Sequence, residues 1–141
     1  MLLSELIDRG TRAFEAAEIE SARVDAELIV AFVLGVSRGE LQTKVIMGES
    51  LNDTAKVEDF FERRAAREPL QHLTGEAYFR NLTLKVGKGV FVPRPETELL
   101  TQLAIDAAAK FENPTVIDLC AGSGAIGIAI ATELPTAKVF A

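Results

Sequence analysis

Thr115-Val-Ile-Asp-Leu-Cys-Ala-Gly-Ser-Gly-Ala-Ile-Gly-Ile-Ala-Ile-Ala-Thr132 is the stretch that decides the fold. Its first part, Val116 to Leu119, is an apolar run of the kind found in strands covered on both faces. Cys120 to Gly124 follows with small side chains, which let a ligand lie against bare backbone. From Ala125 to about Glu133 the pattern is helical. A helix that starts at the loop presents its first N–H groups to whatever binds there. Strand, glycine loop and helix together predict a nucleotide-type cofactor site at the carboxyl end of the first strand of an α/β sheet.

Gly122, Gly124 and Gly127 match the spacing of the dinucleotide fingerprint, but that spacing alone is weak, because small-residue helix starts produce it by chance. Asp118 tilts the choice. A carboxylate at the strand end, two residues before the loop, would repel a pyrophosphate. It suits S-adenosylmethionine, whose amino-acid end carries an ammonium for Asp118 and a carboxylate for the loop amides. NAD or FAD, and a glycine turn with no ligand, stand as the other readings of the stretch.

The rest of the composition narrows the class. Hydrophobic residues make up 48% and charged residues 26% of the 141 residues, the balance of a globular chain. A net charge of −6 argues against binding nucleic acid through bulk charge. The single cysteine excludes an internal disulfide framework and fits a reducing compartment. The N-terminus is too acidic and interrupted for a signal peptide, and the longest apolar run, Leu28 to Leu34, is far short of a membrane span. A cytoplasmic protein is expected. The last residues, from Lys138, read as a second strand where a doubly wound sheet has five or more, so the chain is expected to be the front part of a longer protein.

Ahead of the glycine loop the chain changes character twice. Leu3, Leu6, Ile7, Gly10, Ala13, Phe14 and Ala17 share one helical face. Ser21 is placed to cap a second helix and Gly35 to end it; its apolar run, Ala26 to Leu34, marks it as the centre of a small bundle. Ser37 and Glu40 have the spacing of a capping box for a short third helix. Asn52 or Asp53 caps a fourth, with Val57, Phe60, Phe61 and Ala65 inward, ended by Glu68-Pro69. From Ala77 the period becomes that of a strand. Leu82, Leu84 and Val86 alternate with Thr83 and Lys85, Gly87-Lys88-Gly89 turns, and Val90 to Val92 returns, which predicts a hairpin. Pro95 suits the first position of the next helix, with Glu96 and Glu98 in its first turn. Leu99, Leu100, Leu103, Ala104, Ala107, Ala108 and Phe111 form its apolar face.

Three stretches read together become specific: Glu68-Pro-Leu-Gln-His-Leu-Thr-Gly75, Gly89-Val-Phe-Val-Pro-Arg-Pro-Glu-Thr-Glu98 and Asp118-Leu-Cys-Ala-Gly-Ser-Gly-Ala125. Their order and spacing resemble the peptide chain release factor glutamine N5-methyltransferases, as do Ser21-Ala-Arg-Val-Asp-Ala-Glu27 and Val33-Leu-Gly35. The resemblance covers the chain from about Leu6 to Ala141. It implies an α/β fold with an N-terminal all-α domain: a helical substrate-docking domain over 1–74, a connecting β-hairpin over 75–93, and over 94–141 the truncated start of a Rossmann-like methyltransferase domain. It implies transfer of a methyl group from S-adenosylmethionine to the side-chain amide nitrogen of the glutamine in the Gly-Gly-Gln loop of class I release factors. The family's Asn-Pro-Pro-Tyr motif, which aims that nitrogen, does not occur in this sequence, and neither does the acidic residue that holds the cofactor ribose. No catalytic residue is therefore assigned, no metal is expected, and the chain alone is expected to be an inactive fragment.

Cofactor-binding residues carry over by position. Asp118, Cys120, Ala121, Gly122, Ser123 and Gly124 match the loop over the methionine end of the cofactor; the family usually has Gly-Thr where this chain has Cys120-Ala121. Phe91, Arg94 and Glu96 match the stretch that lies over the site. Simpler roles stand beside these. Asp118 can cap backbone N–H groups, Cys120 can be a small buried residue, and His72 a structural residue. Arg94 can pair with Glu96 or Glu98, and Arg63, Arg64 and Arg67 can form a solvated helix face or meet an acidic or RNA-bound partner. Two other functions fit the residues: a related amino-methyltransferase with a different substrate, and a non-catalytic module that binds a release factor.

Overall fold

The computed structural model describes residues 1–141, which divide into two compact units, Met1–Thr74 and Gly75–Ala141. The first is all helical: α1 (Leu3–Ala16), α2 (Ala22–Leu34), α3 (Arg38–Ile46), α4 (Ala55–Ala65) and the single-turn α5 (Leu70–Thr74). The inward face of α1 holds Leu3, Leu6, Ile7, Gly10 and Phe14, the periodic set seen in the sequence, while Ala13 is exposed. Helix α2 ends as expected at Gly35, whose φ of 67° is the left-handed conformation that glycine adopts without a Cβ penalty. Ser21 occupies its N-cap position without a side-chain bond. The capping box of α3 is complete: Ser37 Oγ accepts the Glu40 N–H at 3.2 Å and Glu40 Oε2 accepts the Ser37 N–H at 2.7 Å. At α4 the N-cap is Thr54, with Asp53 Oδ1 accepting from the Ala55 N–H.

The core of this unit joins Leu6, Phe14, Ile29, Val30, Leu41, Val57 and Phe61, all nearly or fully inaccessible. Phe14 meets Phe61 edge-on with ring centroids 5.4 Å apart. Two acids are buried among these apolar residues. Asp25 is 5% exposed and Glu27 is 3% exposed. Burying a charge without a partner is costly. Each instead receives guanidinium groups: Arg64 Nε donates to Asp25 Oδ2 at 2.8 Å, and Glu27 accepts from Arg38 at 2.7 Å and Arg23 at 3.2 Å. Burial works to raise the Glu27 pKa, but the hydrogen bonds from Arg38 and Gln42 and the charges of Arg38 and Arg23 hold it below the usual carboxylate value.

The basic cluster at the end of α4 is consumed within the unit. Arg63 makes a two-pronged contact with Glu68, Arg64 binds Asp25 and the Glu68 carbonyl, and Arg67 donates to the Ala17 carbonyl at 2.7 Å. These contacts give the three arginines structural work at the end of α4, where the sequence offered an exposed basic face.

The second unit contains β1 (Glu76–Phe79), β2 (Leu82–Lys85), α6 (Thr97–Ala108), β3 (Thr115–Ile117), α7 (Ala125–Glu133) and β4 (Lys138–Phe140). The hairpin differs from the expected one. Its strands are β1 and β2, antiparallel with Ala77 opposite Leu84 and Phe79 opposite Leu82, joined by Arg80-Asn81. Gly87 to Gly89 does turn, with the Val90 N–H bonding the Gly87 carbonyl, but Val90 to Val92 is not a strand. β2 pairs with β1 along one edge, and Val90 and Val92 pack against the core cluster as an irregular strap. Helix α6 begins at Thr97, two residues later than the proline signal placed it, with Arg94 to Glu96 in the preceding turn.

Strands β3 and β4 pair in parallel, Val116 opposite Val139, and α7 is the crossover between them. The α7 boundaries match the sequence reading. The expectation of a strand buried on both faces does not hold: Ile117 and Leu119 are exposed, and so are Leu99, Leu100, Leu103 and Phe111 on and after α6. Only Thr101 and Ala108 of α6 are buried. The structure thus bears out a helical region followed by small sheets and helices.

Candidate cofactor site

Small residues on α7 let two layers approach it. Ala125 and Ala129 pack in one apolar cluster with Ala77, Phe79, Leu84 and Val86 of the hairpin region, and Val90 and Val92 close its edge. Between them along the helix, Gly127 lies against the strand side. A Cβ built there would meet Asp118 Oδ2 at 3.2 Å, Val139 Cγ1 at 3.5 Å and Ala141 Cβ at 3.5 Å.

That close approach fixes Asp118. Its Oδ2 accepts the Gly127 N–H at 3.0 Å, and its own N–H donates to the Phe140 carbonyl at 2.8 Å. The bond to Gly127 is the capping role, and it leaves Oδ1 outside that contact. The loop itself is a chain of left-handed residues: Cys120 at φ 60°, Gly122 at 59° and Gly124 at 75°. Glycine takes such angles freely, and Cys120 takes them at a cost of about 1–2 kcal/mol. The Gly124 N–H closes the turn on the Ala121 carbonyl at 2.8 Å. Gly124 is then the N-cap of α7, and the Ile128 N–H bonds its carbonyl at 2.9 Å. Ala125 and Ile126 come ahead of that first helical bond, so their amides face outward at the positive end of the helix. The Cys120 thiol is exposed, not buried as its size had suggested.

The strap brings a second group. Val90 and Val92 point into the cluster with Ala125 and Ala129, so Phe91 between them faces out and is 64% exposed. The Arg94 guanidinium carbon lies 5.7 Å from the Phe91 ring centroid, within cation–π range. Arg94 forms this contact in place of a pair with Glu96 or Glu98. Glu96 is the N-cap residue of α6 without a side-chain bond to the helix. No hydrogen bond or ion pair joins Phe91, Arg94 or Glu96 to Asp118, Cys120, Ala121, Gly122, Ser123 or Gly124; the two groups are related through the apolar cluster beneath them.

One residue with a large part in this unit did not stand out in the sequence. Arg80 sits in the two-residue turn of the hairpin at φ 51°. Its Nε and Nη2 donate to the two oxygens of Glu133, each at 2.6 Å, and its backbone N–H donates to Glu98 Oε1 at 2.8 Å. The available signal was a long charged residue at a turn position where glycine or asparagine is usual.

The chain resembles known proteins over its whole length. Release factor glutamine methyltransferase of Bifidobacterium longum is 44% identical over 146 aligned residues, covering 100% of this chain and 50% of that protein. The protein of the same name from Streptomyces coelicolor is 47% identical over 143 residues, covering 100% of this chain and 49% of its own length. That from Mycolicibacterium smegmatis is 42% identical over 139 residues, covering 99% and 48%. The chain spans about half the length of the curated relatives it matches. Residues 5–75 match the family described as the PrmC N-terminal domain. With half of its length in that match and the remainder aligned to the same group of relatives, the chain belongs to the family of the PrmC N-terminal domain.

Proposed function

We propose that this chain is the docking and cofactor-loop part of a cytoplasmic, S-adenosylmethionine-dependent protein-glutamine N-methyltransferase. Its substrate is the N5 amide nitrogen of the glutamine in the Gly-Gly-Gln loop of class I peptide chain release factors. Residues 1–74 are the docking part, 75–93 the link, and 94–141 the beginning of the methyltransferase domain. The observation that carries the reading is the shared seat of two segments: the strap through Val90 and Val92 and the helix that opens at the glycine loop meet in one apolar cluster. The names of the relatives, spread over the whole chain, support it.

The residues present suit the cofactor. At Gly122 and Gly124 the left-handed backbone disfavours any side chain, which keeps the loop floor bare there. The donor set is a carboxylate beside outward amides, the complement of an amino acid's two charged groups. When bound, S-adenosylmethionine supplies an electrophilic methyl group on a sulfonium. Asp118 would hold the ammonium, with Gly127 fixing the carboxylate's orientation; the amides of Ala125 and Ile126 would take the cofactor carboxylate. Phe91 and Arg94, paired by their cation–π contact, would add an aromatic face and a charge. An amide nitrogen is a poor nucleophile, so positioning is the main requirement of the transfer. The sequence lacks the Asn-Pro-Pro-Tyr motif that performs it in the resembled family, so the transfer step belongs to a protein of the relatives' length.

Calorimetric titration with S-adenosylmethionine and, separately, NAD should be run on this chain and on a protein of the relatives' length. The longer protein should bind S-adenosylmethionine and methylate a release factor at the Gly-Gly-Gln glutamine. Binding of NAD in its place, or methylation of some other substrate only, would overturn the reading.

A further inference from the structure

We propose that Arg80 is a positioning residue for the cofactor site, holding the two helices that continue its two segments to one hairpin. The inference rests on the reading that Asp118 and the glycine loop bind S-adenosylmethionine. The strap bearing Phe91 and Arg94 runs directly into α6, and the loop Cys120–Gly124 runs directly into α7. Whatever fixes α6 and α7 to the same support therefore fixes the strap and the loop to each other.

Arg80 makes that link through both helices at once. It grips Glu133, in the last turn of α7, with two parallel bonds, and it reaches α6 at two successive turns. Nη1 donates to the Glu98 carbonyl at 3.3 Å and Nη2 to Gln102 Oε1 at 2.7 Å, while Gln102 Nε2 donates onward to Asp106 at 2.8 Å. The backbone N–H adds its bond to the Glu98 carboxylate, two residues after Glu96. The Arg80 side chain is 15% exposed and that of Glu133 is 25% exposed; the contact with Glu133 lies at the surface, while the bonds to Glu98 and Gln102 of α6 are partly buried. The planar guanidinium serves several acceptors in fixed directions, which an ammonium cannot do.

The backbone at Arg80 points the same way. A two-residue hairpin turn with a left-handed residue is ordinarily filled by glycine or asparagine. Arginine accepts the less favourable angle here and places its side chain across α6 and α7. Phe79 and Leu84 of the same hairpin share an apolar cluster with Ala125 and Ala129, near the loop end of α7. The hairpin thus holds α7 by its first turns through apolar contact and by its last turn through Arg80.

The test uses a protein of the relatives' length with R80A, R80K and E133Q, read by calorimetric S-adenosylmethionine affinity well below each variant's thermal midpoint. R80A should weaken cofactor binding about tenfold, equivalent to about 1.4 kcal/mol. R80K should recover little of it, and E133Q, which keeps the shape and removes the charge, should weaken binding by a smaller factor. In turnover assays KM for S-adenosylmethionine should rise while KM for the release factor stays unchanged. Wild-type cofactor affinity in folded R80A, or in folded E133Q if R80A fails to fold, overturns the proposal, because Arg80 then only stabilises. Failure of the parent protein itself to bind S-adenosylmethionine overturns the cofactor reading and this proposal with it, an outcome distinct from the first.

Discussion

Gly10 and Phe61 occupy neighbouring space so closely that a Cβ at Gly10 would lie 2.5 Å from Phe61 Cζ. The ring cannot step aside freely, since Phe14 meets it edge-on and it is 5% exposed. Alanine is the better helix former by about 1 kcal/mol, yet overpacking of this kind costs about 1–3 kcal/mol or more. Gly10→Ala should therefore lower the urea midpoint of the helical unit. An unchanged or raised midpoint would show that the ring has room the structure does not reveal.

Asp25 and Arg64 make a different kind of contact, a nearly buried ion pair 2.8 Å long between α2 and α4. Removing one partner strands the other's charge, so Asp25→Ala should destabilise by about 3 kcal/mol. Replacing both with apolar residues of similar size should cost much less, because the desolvation penalty disappears with the charges. A double-mutant cycle by urea denaturation reads this coupling, and additive single effects would refute it.

Glu27 gives the helical unit an acid-sensitive element. Its folded pKa lies below the ordinary value of 4.5 despite burial, because Arg38 and Gln42 bond the ionised form and Arg38 and Arg23 add their charges. A carboxylate whose folded pKa is lowered stabilises fully above its unfolded pKa and loses that contribution as pH falls through the folded one. The stability of wild type minus that of Glu27→Gln should be constant from pH 7 to about pH 5 and shrink below about pH 4.5. A difference that stays flat to pH 3 would remove Glu27 from the acid response.

Gly127 sets the position of Asp118, and a methyl group there would press on Oδ2 from 3.2 Å. Gly127→Ala should cost about 1 kcal/mol of stability through crowding against Asp118 and Val139. In the longer protein it should also weaken S-adenosylmethionine binding, with Asp118→Asn weaker still. Calorimetry decides; Gly127→Ala with unchanged affinity would separate the capping bond from the ligand role.

Legibility in the sequence followed the range of the interaction. The capping box at Ser37 and Glu40, the stop at Gly35 and both ends of α7 are decided within a few residues, and the pattern exposed them. The turn at Gly87–Gly89 was also legible, but a turn does not by itself choose a strand partner. Here β2 pairs with β1, so that Ala77, Phe79, Leu84 and Val86 share one buried face, and the expected return strand is a strap. The pairing of buried Asp25 with Arg64 and of buried Glu27 with Arg38 was not legible, because these partners lie 39 and 11 residues away; only Arg23, four residues from Glu27, is local. Arg80 was hidden in the same manner, its carboxylate partner being 53 residues distant. The glycine turn and the helix that starts after it were readable from spacing, while the strap's relation to α7 depended on packing between segments that no local pattern encodes.

The parallel pairing of β3 and β4 has a kinetic side. Parallel neighbours cannot be joined by a tight turn, so the three pairs from Thr115–Lys138 to Ile117–Phe140 form only after the chain has crossed over through α7. Contacts that require such a closure are made late, after local helices have reduced the search. They are also the first to be given up in partial opening when few pairs and exposed side chains guard them. The amides of Asp118 and Lys138, bonded to the Phe140 and Pro114 carbonyls, should therefore exchange with solvent well before that of Val30 in the helical core. The strand end that carries Asp118 is thus expected to assemble after the helical core and to open before it, and a ligand seated there would act as a clasp on that part of the fold.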